Sequence, residues 1–261
     1  MIRQLLSKKE QQHFQLRGKE PGRLENFSDA VFALAITLLL ISTSPPNNFE
    51  QIKRFTLELI PFVMCIALII LIWHEHYQFF SRYGLRNGKV VALNTLFLVI
   101  VLFYVYPLKF LTKLSLFAVA ILFDLDWLLE SLTGMIRGED MGDLMIIYGV
   151  GAASIFLVLA LMYRYASKNE EELNLTSFER FETRVSIRSN LLMASVPIIS
   201  VLVALLLKPH WSAGMISGFC YFLYFPIMYV HSKGVDRGRK KLFVRIRIHH
   251  LHHLFSSPFS W

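Results

Sequence analysis

The polar side chains with the clearest potential for chemistry stand where the first long apolar run of the chain begins. Arg23 and Phe27 precede Ser28 and Asp29, and an apolar run follows directly. If this run crosses a membrane, the carboxylate is costly unless it is paired, and such a carboxylate normally faces protein or water and marks a functional site. Serine and aspartate are also favoured helix N-caps. From these residues alone, both interpretations stay open.

A second polar cluster closes the second apolar run and contains Trp73, His74 and His76. Histidines at positions i and i+2 lie on different faces of a helix, which argues against a metal ion shared by His74 and His76. A hydrogen-bonded network would instead satisfy these polar groups and hold the first two helices in register. We predict such a network with the members Arg23, Ser28, Asp29, Trp73 and His76.

Side chains spaced by four and three residues along the first apolar run share one helix face. They are Ala30, Leu34, Thr37, Ile41 and Ser44. Small and hydroxyl-bearing side chains of this kind form packing seams between membrane helices. The same pattern suits a pore wall, in which aliphatic rings gate by dewetting and hydroxyls coordinate a partly dehydrated cation. Taken alone, the pattern favours packing.

The position of Ser28 argues against a hydrolytic triad with Asp29 and His76, because a serine within a helix has no oxyanion donors arranged beside it. The chain also lacks the Gly-x-Ser-x-Gly, His-Glu-x-x-His and Walker sequences. Cys65 and Cys220 each lie in an apolar run, which indicates packing rather than a disulfide or a metal site. We predict no cofactor and no enzymatic activity.

The composition of the chain indicates the kind of structure that positions these polar residues. Of the 261 residues, 54% are hydrophobic and only 18% are charged, below the roughly 25% of an ordinary soluble domain. A helix needs roughly 20 apolar residues to cross the hydrocarbon core of a bilayer. The predicted fold is therefore all-α and integral to the membrane, with six transmembrane helices. The qualifying stretches are about 27–44, 55–73, 90–108, 142–163, 190–207 and 211–230.

Lysine and arginine are distributed unevenly between the connections. The segment 1–26, the second and fourth connections and the segment 231–261 carry 21 of the 27 basic residues, and the other three connections carry six. The positive-inside rule then places both termini in the cytoplasm. The net charge of +8 follows from this orientation, so no nucleic-acid partner is needed to explain it.

The chain divides into a cytoplasmic N-terminal segment (1–26), a six-helix membrane domain (27–230) and a basic, histidine-rich cytoplasmic tail (231–261). The half-apolar external connection 109–141 predicts an interfacial or short buried helix, because a bare loop of that length is uncommon. The charged cytoplasmic loop 164–189 predicts a solvated helical extension. The basic tail predicts attraction to anionic lipid at the membrane surface.

Several spaced motifs resemble those of the transmembrane protein 175 family, whose members are potassium channels of bacteria and lysosomes. The likeness is specific over about residues 23–107 and only topological beyond them. The motifs are Arg23-x-x-x-Phe27-Ser28-Asp29, Trp73-x-x-His76-x-x-x-Phe80, and Asn94 followed by Phe103 and Pro107.

This resemblance implies a pore lined by the first helix of each subunit in a homotetramer, as in the single-repeat bacterial members. It implies a constriction formed by Leu34, Leu38 and Ile41, with Thr37 as a neighbouring hydroxyl layer. It also implies that the phenylalanine-serine-aspartate motif belongs to a structural network near the inner pore mouth, in which we include Asn94.

Members of the family lack the TVGYG filter of ordinary potassium channels, and so does this sequence. The string Tyr148-Gly-Val-Gly151 has no preceding threonine, and its glycines are predicted to serve helix packing. The resemblance therefore implies a weakly selective, leak-like potassium channel of the cell membrane, with potassium as the permeant ion.

An ion-coupled secondary transporter is the alternative function. Transporters tend to have repeated halves and interrupted helices around a site near the midplane of the bilayer. Pro197 could interrupt the fifth span, and Asp29 could bind a coupling ion. The sequence shows no internal repeat, which favours the channel.

Overall fold

The computed structural model describes residues 14–41, 47–57, 59–124, 126, 137–208, 210 and 212–256. Regular structure within these ranges is helical, without a strand. Six of the described helices or helical segments are long and apolar enough to cross a membrane, which confirms the predicted number. The α-helices are α1 (Arg23–Ile41), α2 (Phe49–Leu57), α3 (Leu59–Tyr83), α4 (Gly88–Leu122), α5 (Met141–Lys168), α6 (Ser177–Leu207), α7 (Ala213–Phe219) and α8 (Tyr224–Ser256).

Most of the spanning helices are longer than the apolar runs that predicted them. The second span was predicted to end at residue 73, but α3 continues to Tyr83, and α6 begins at Ser177 rather than at residue 190. Apolar composition marks only the part of a helix that suits hydrocarbon, whereas Glu, Lys, Arg and Gln continue a helix into water with little loss of propensity. Hydropathy therefore underestimates the length of these helices.

Two predicted connections are largely helical over their described residues. In the connection 109–141, α4 runs without interruption through Pro107 to Leu122, and residues 125 and 127–136 lie outside the described residues. In the loop 164–189, only residues 169–176 are outside a helix. The predicted helical extension is present there, but the prediction that it is solvated is wrong for Glu179 and Glu182, which are buried.

The sixth span changes its helical form partway along. The short helix α7 leads into a 3-10 turn at Cys220–Leu223, and α8 follows and continues to Ser256. The predicted tail 231–261 is thus helical over its described part and continuous with the last span. The 3-10 turn is a common way to redirect a helix over a few residues.

Pro197 does not interrupt α6, contrary to what a broken fifth span would require. A proline has no N–H, so the carbonyl four residues earlier loses its helical partner. That carbonyl belongs to Met193, and the Tyr224 hydroxyl of α8 donates a hydrogen bond to it over 2.9 Å. The side chain of one helix thus replaces the missing backbone donor of another.

The helices pack in an order that leaves α1 at one edge of the bundle. Helix α1 packs against α3 and α4, these two pack against α5, and α5 pairs with α6 over the most extensive interface of the described chain. Helices α7 and α8 then pack against α6. Because α1 has neighbours on one side only, its other side is open in a single copy of the chain.

Both described ends of the chain lie at the same end of this bundle, which we call the charged end. It comprises residues 14–22, the turn between α3 and α4, residues 169–176 and the second half of α8. Arg17 reaches Glu179 and Arg239 reaches Glu182, on adjacent turns of α6. An even number of membrane crossings produces this arrangement.

The predicted packing role of the glycines in α5 is confirmed. A Cβ atom at Gly149 would lie 2.3 Å from Cγ2 of Val201 and 3.0 Å from the carbonyl oxygen of Pro197, both on α6. A Cβ atom at Gly151 would lie 2.3 Å from the ring of Tyr104 on α4. These glycines allow α5 to approach its two neighbours closely, as small residues do between membrane helices.

We expect the Gly149→Ala substitution to lower the free energy of unfolding by about 1–3 kcal/mol, because the new methyl group overpacks the α5–α6 interface. Thermal unfolding of the purified protein in detergent measures this change. Gly234→Ala is the matched control, since a Cβ atom at Gly234 in α8 meets nothing within 4 Å. Equal stability of the Gly149 and Gly234 variants would contradict the close approach of α5 and α6.

Candidate functional site

A buried chain of hydrogen bonds ties α1 to α3 and α4. The Asn94 side-chain amide of α4 donates to the Ser28 hydroxyl of α1 over 2.9 Å, and Nε2 of His76 in α3 lies 2.7 Å from the Asn94 side-chain oxygen. The Ser28 hydroxyl in turn donates to the carbonyl of Leu24 over 2.9 Å. All three side chains are nearly or fully buried, so each polar group needs these partners. The tautomer that fits protonates Nε2 of His76.

Aromatic rings surround this polar contact and keep it away from solvent. Phe97 stacks on the His76 imidazole with an interplanar angle of 12° and a centroid distance of 5.3 Å. Phe80 and Phe32 lie with centroids 4.8 and 5.7 Å from the same ring. Buried hydrogen bonds are stronger in such a low-dielectric setting. Three helices therefore meet at one polar point within an aromatic shell.

The network predicted from the sequence is divided in the structure. Asp29 accepts a hydrogen bond of 2.7 Å from the Trp73 indole, which also joins α1 to α3 but at an exposed position. Arg23 and Phe27 are exposed, and Arg23 forms no hydrogen bond or ion pair with any described residue. Within one chain, the motif thus holds its serine and aspartate against neighbouring helices and leaves its arginine and phenylalanine facing outward.

Helix α1 has two different faces. One face packs into the bundle through Ser28, Phe32, Ala35 and Leu39, at spacings of four and three residues. On the other face Thr37 is exposed, and the exposed fractions of Leu34 and Ile41 are 50% and 71%. Leu38 is half-buried and lies at the edge between the two faces. Ser44 lies outside the described residues.

The Thr37 hydroxyl donates to the carbonyl of Ala33 over 2.9 Å, one turn earlier in α1. This bond fixes the rotamer of the side chain and uses the hydroxyl hydrogen. The oxygen keeps a free lone pair on the exposed face, and oxygen atoms are the ligands that hard cations prefer. The arrangement can present an oxygen to a cation that passes along α1.

Sequence reasoning missed a set of contacts at the charged end. Arg17 lies within hydrogen-bonding distance of both carboxylate oxygens of Glu179, and its Nε donates to the carbonyl of Leu173 over 2.9 Å. The contact between Thr176 and Glu179 could have been predicted, because these residues have the spacing of a capping box at the start of α6. The ion pair between Arg17 and Glu179 could not have been predicted, because no local spacing relates the two residues.

No group of three or more potential metal ligands occurs among the described residues. His74 is exposed, and its ring nitrogen contacts the Gln78 amide at 2.8 Å. Cys65 is buried, and its sulfur lies 3.2 Å from the Thr112 hydroxyl. His249 and His253 in the basic tail have the i, i+4 spacing that can hold a metal on a helix, but their side chains lie outside the described part of the structure.

The chain is similar in sequence to known potassium channels. Residues 23–104, which contain the hydrogen bonds that join Ser28, His76 and Asn94 and the bond between Asp29 and Trp73, match the family "Endosomal/lysosomal potassium channel TMEM175". A protein of Marivirga tractuosa named "Potassium channel" is 44% identical over 232 residues, which make up 88% of this chain and 94% of that protein. The chain belongs to the TMEM175 family.

Solved structures of TMEM175 channels share the fold. A crystal structure of a variant of the potassium channel MtTMEM175, in complex with a nanobody–MBP fusion protein, has 43% identity and a TM-score of 0.77, covering 86% of this chain and 97% of that chain. A lysosomal potassium-selective channel TMEM175 homolog from Chamaesiphon minutus has 18% identity and a TM-score of 0.51, covering 80% and 97%. The second likeness concerns the fold alone.

Membership of the TMEM175 family confirms the resemblance seen in the sequence. The chain is a multi-pass membrane protein of a potassium-channel family, and the predicted absence of an enzymatic role agrees with the channel names of its relatives. These findings do not support the transporter alternative.

We expect Asn94→Leu to lower the free energy of unfolding by about 1–3 kcal/mol, because it leaves the His76 imidazole N–H buried without an acceptor. Thermal unfolding in detergent measures the change. Thr95→Val is the matched control, since the exposed Thr95 hydroxyl donates only to the Val91 carbonyl of its own helix. If both variants unfold at the same temperature, the hydrogen bonds of Asn94 do not stabilise the bundle.

Proposed function

We propose that the protein conducts potassium passively through a pore lined by α1 of several copies of the chain. The observation that supports this proposal is the divided character of α1. Its inner face is fixed by the contacts of Ser28 and Phe32, while Leu34, Thr37 and Ile41 remain uncovered at the edge of the bundle. One copy of an edge helix cannot enclose a pore, but several copies around a symmetry axis can.

The proposed constriction consists of aliphatic rings contributed by Leu34, Leu38 and Ile41. Such rings exclude hydrated ions by dewetting, so a small change in radius separates the open from the closed state. Thr37 adds a ring of hydroxyl oxygens beside them. Flexible hydroxyls discriminate less sharply than a rigid carbonyl cage, so the proposed selectivity for potassium is weak.

We propose a homotetramer with both termini in the cytoplasm. Arg23 and Phe27 support the assembly, because each stands exposed beside the pore-lining face, and 62% of Phe27 is exposed in one copy. A large aromatic ring and a guanidinium that has no partner among the described residues suit contacts with a neighbouring subunit. The single six-helix unit of this chain is the reason for choosing four copies, by analogy with bacterial members of the family.

The cell membrane is the proposed location, with potassium as the permeant ion and no cofactor in the mechanism. The described part of the tail supports an attraction to anionic lipid, since Lys233, Arg237, Lys240 and Lys241 are exposed on α8. Each basic side chain close to a negatively charged leaflet contributes about 1 kcal/mol. This attraction is secondary to conduction.

The first experiment is potassium flux into liposomes that contain the purified protein, with sodium as the competing ion. We expect passive flux that prefers potassium. In the Leu34→Ala variant, the rate of potassium flux should change by at least about tenfold, equivalent to about 1.4 kcal/mol in the barrier to permeation. Leu40→Ala is the matched control. Leu40 and Leu34 are exposed to similar extents, 52% and 50%, but Leu40 points about 120° around the helix axis from Leu34, away from the proposed ring positions.

Each outcome of this experiment has a defined consequence. Equal flux through both leucine variants would remove α1 from the proposed pore wall. Flux that requires a second, coupled ion would replace the channel by a transporter. Absence of flux in the wild-type protein would contradict the proposed function itself.

Thr37→Ala is expected to lower the potassium-to-sodium permeability ratio by about two- to tenfold, because the pore loses one oxygen ligand per subunit while its width changes little. Bi-ionic reversal potentials measure the ratio. Thr37→Ser keeps the hydroxyl and should retain the wild-type ratio. An unchanged ratio in the alanine variant would exclude the hydroxyl from selectivity.

A further inference from the structure

The Glu179 carboxylate on the first turn of α6 is fully buried and holds residues 14–17 in place. Its two oxygens accept hydrogen bonds from the backbone N–H groups of Gln15 and Thr176, each over 2.8 Å, and from the two terminal nitrogens of Arg17, each over 3.0 Å. The exposed fraction of the Glu179 side chain is 0%. Removing either charge of a buried pair leaves the other without compensation, so the two residues hold each other strongly.

The segment 14–22, which we call the strap, passes from this ion pair over the end of α3. The N–H of Gly18 donates to the Ser81 carbonyl over 3.1 Å. A Cβ atom at Gly18 would lie 2.2 Å from the carbonyl oxygen of Phe80, and one at Gly84, where φ is +59°, would lie 3.0 Å from the carbonyl oxygen of Arg17. Backbone therefore lies directly on backbone, and only glycine permits this approach.

The strap leads directly into the proposed pore helix. Only five residues separate Arg17 from Arg23, where α1 begins. The N–H of Gly22 donates to the Glu25 carboxylate over 2.8 Å, and Arg86 binds the same carboxylate over 3.2 Å. Both ends of this short connection are therefore held, so it is a direct physical link between Arg17 and the first turn of α1.

We propose that Glu179, through Arg17, positions α1 and sets the register of its pore-lining face. The inference rests on the proposed function of α1, and it assigns a role in conduction to α6, a helix that packs away from α1. Glu179 touches no ion in this mechanism. It determines where Leu34 and Thr37 stand relative to the same residues of other copies, so it acts on selectivity through position.

The adjacent ion pair provides a matched control on the same helix. Glu182, three residues after Glu179, accepts hydrogen bonds of 2.7 and 2.8 Å from the Arg239 guanidinium of α8. This pair is also bidentate and largely buried. It joins α6 to the tail helix instead of the strap, so its loss should affect the packing of α8 and leave α1 in place.

The test compares Glu179→Gln, Arg17→Gln and their double variant with Glu182→Gln, by potassium and sodium permeability in liposomes. Glutamine still satisfies the capping box at Thr176, so α6 keeps its N-cap. We expect each single variant at the Glu179–Arg17 pair to lower the potassium-to-sodium ratio at least about threefold, within the range of long-range coupling in proteins. The double variant should have a ratio no lower than that of either single variant, and the ratio of Arg17→Lys should lie between those of the wild type and Arg17→Gln.

A purely structural role would reduce the amount of active protein and lower the flux of both ions equally, which leaves the ratio unchanged. Hydrogen–deuterium exchange of the first turn of α1 is the second measurement. It should rise in Glu179→Gln and stay at the wild-type level in Glu182→Gln.

An unchanged ratio together with unchanged exchange in Glu179→Gln would overturn the positioning role, as would the same shifts in Glu182→Gln. If the wild-type protein passes no ions, the proposed function fails. In that case, faster exchange confined to the Glu179 and Arg17 variants would still support the positioning of α1, and its absence would refute it.

Discussion

The contact between Asn94 and Ser28 is the point on which the arrangement of α1 depends. A polar group in the apolar part of a membrane protein is costly to leave without a hydrogen-bond partner. The amide of Asn94 satisfies the Ser28 hydroxyl on one side and the His76 imidazole on the other. Apolar packing tolerates small rotations of a helix, whereas these directional bonds do not. They therefore fix which face of α1 is buried.

The outward face of α1 follows from this constraint. Once Ser28 and Phe32 point into the bundle, the helical repeat directs Leu34, Thr37 and Ile41 away from it. Because α1 lies at the edge of the packing order, no later helix of the described chain covers these residues. A packing seam and a pore wall look alike in sequence, but a seam must be covered by another helix of the chain. The exposed face of α1 is not covered in this way, which favours the pore interpretation.

At the charged end, which lies outside the apolar part of the bundle, ion pairs hold the helices together. There the first turns of α6 contact three other parts of the chain through polar side chains. Glu179 binds the strap, Glu182 binds α8, and the Thr183 and Ser186 hydroxyls bond Tyr83 and Arg82 of α3. A helix that begins four turns before its apolar part gives these side chains a rigid support. The proposed pore helix is thus linked to a helix that it does not pack against.

By itself, the sequence determined the fold class, the number of membrane helices and the family, because hydropathy and spaced motifs are properties of neighbouring residues. Together with the family resemblance, it placed Ser28, His76 and Asn94 in one network, but it placed Arg23, Phe27, Asp29 and Trp73 in that network too. Only the tertiary structure decided the lengths of the helices, the outward direction of Arg23 and the pairing of Arg17 with Glu179. That pair joins residues 162 positions apart, and their attraction depends on distance in space, which no local pattern of one sequence encodes.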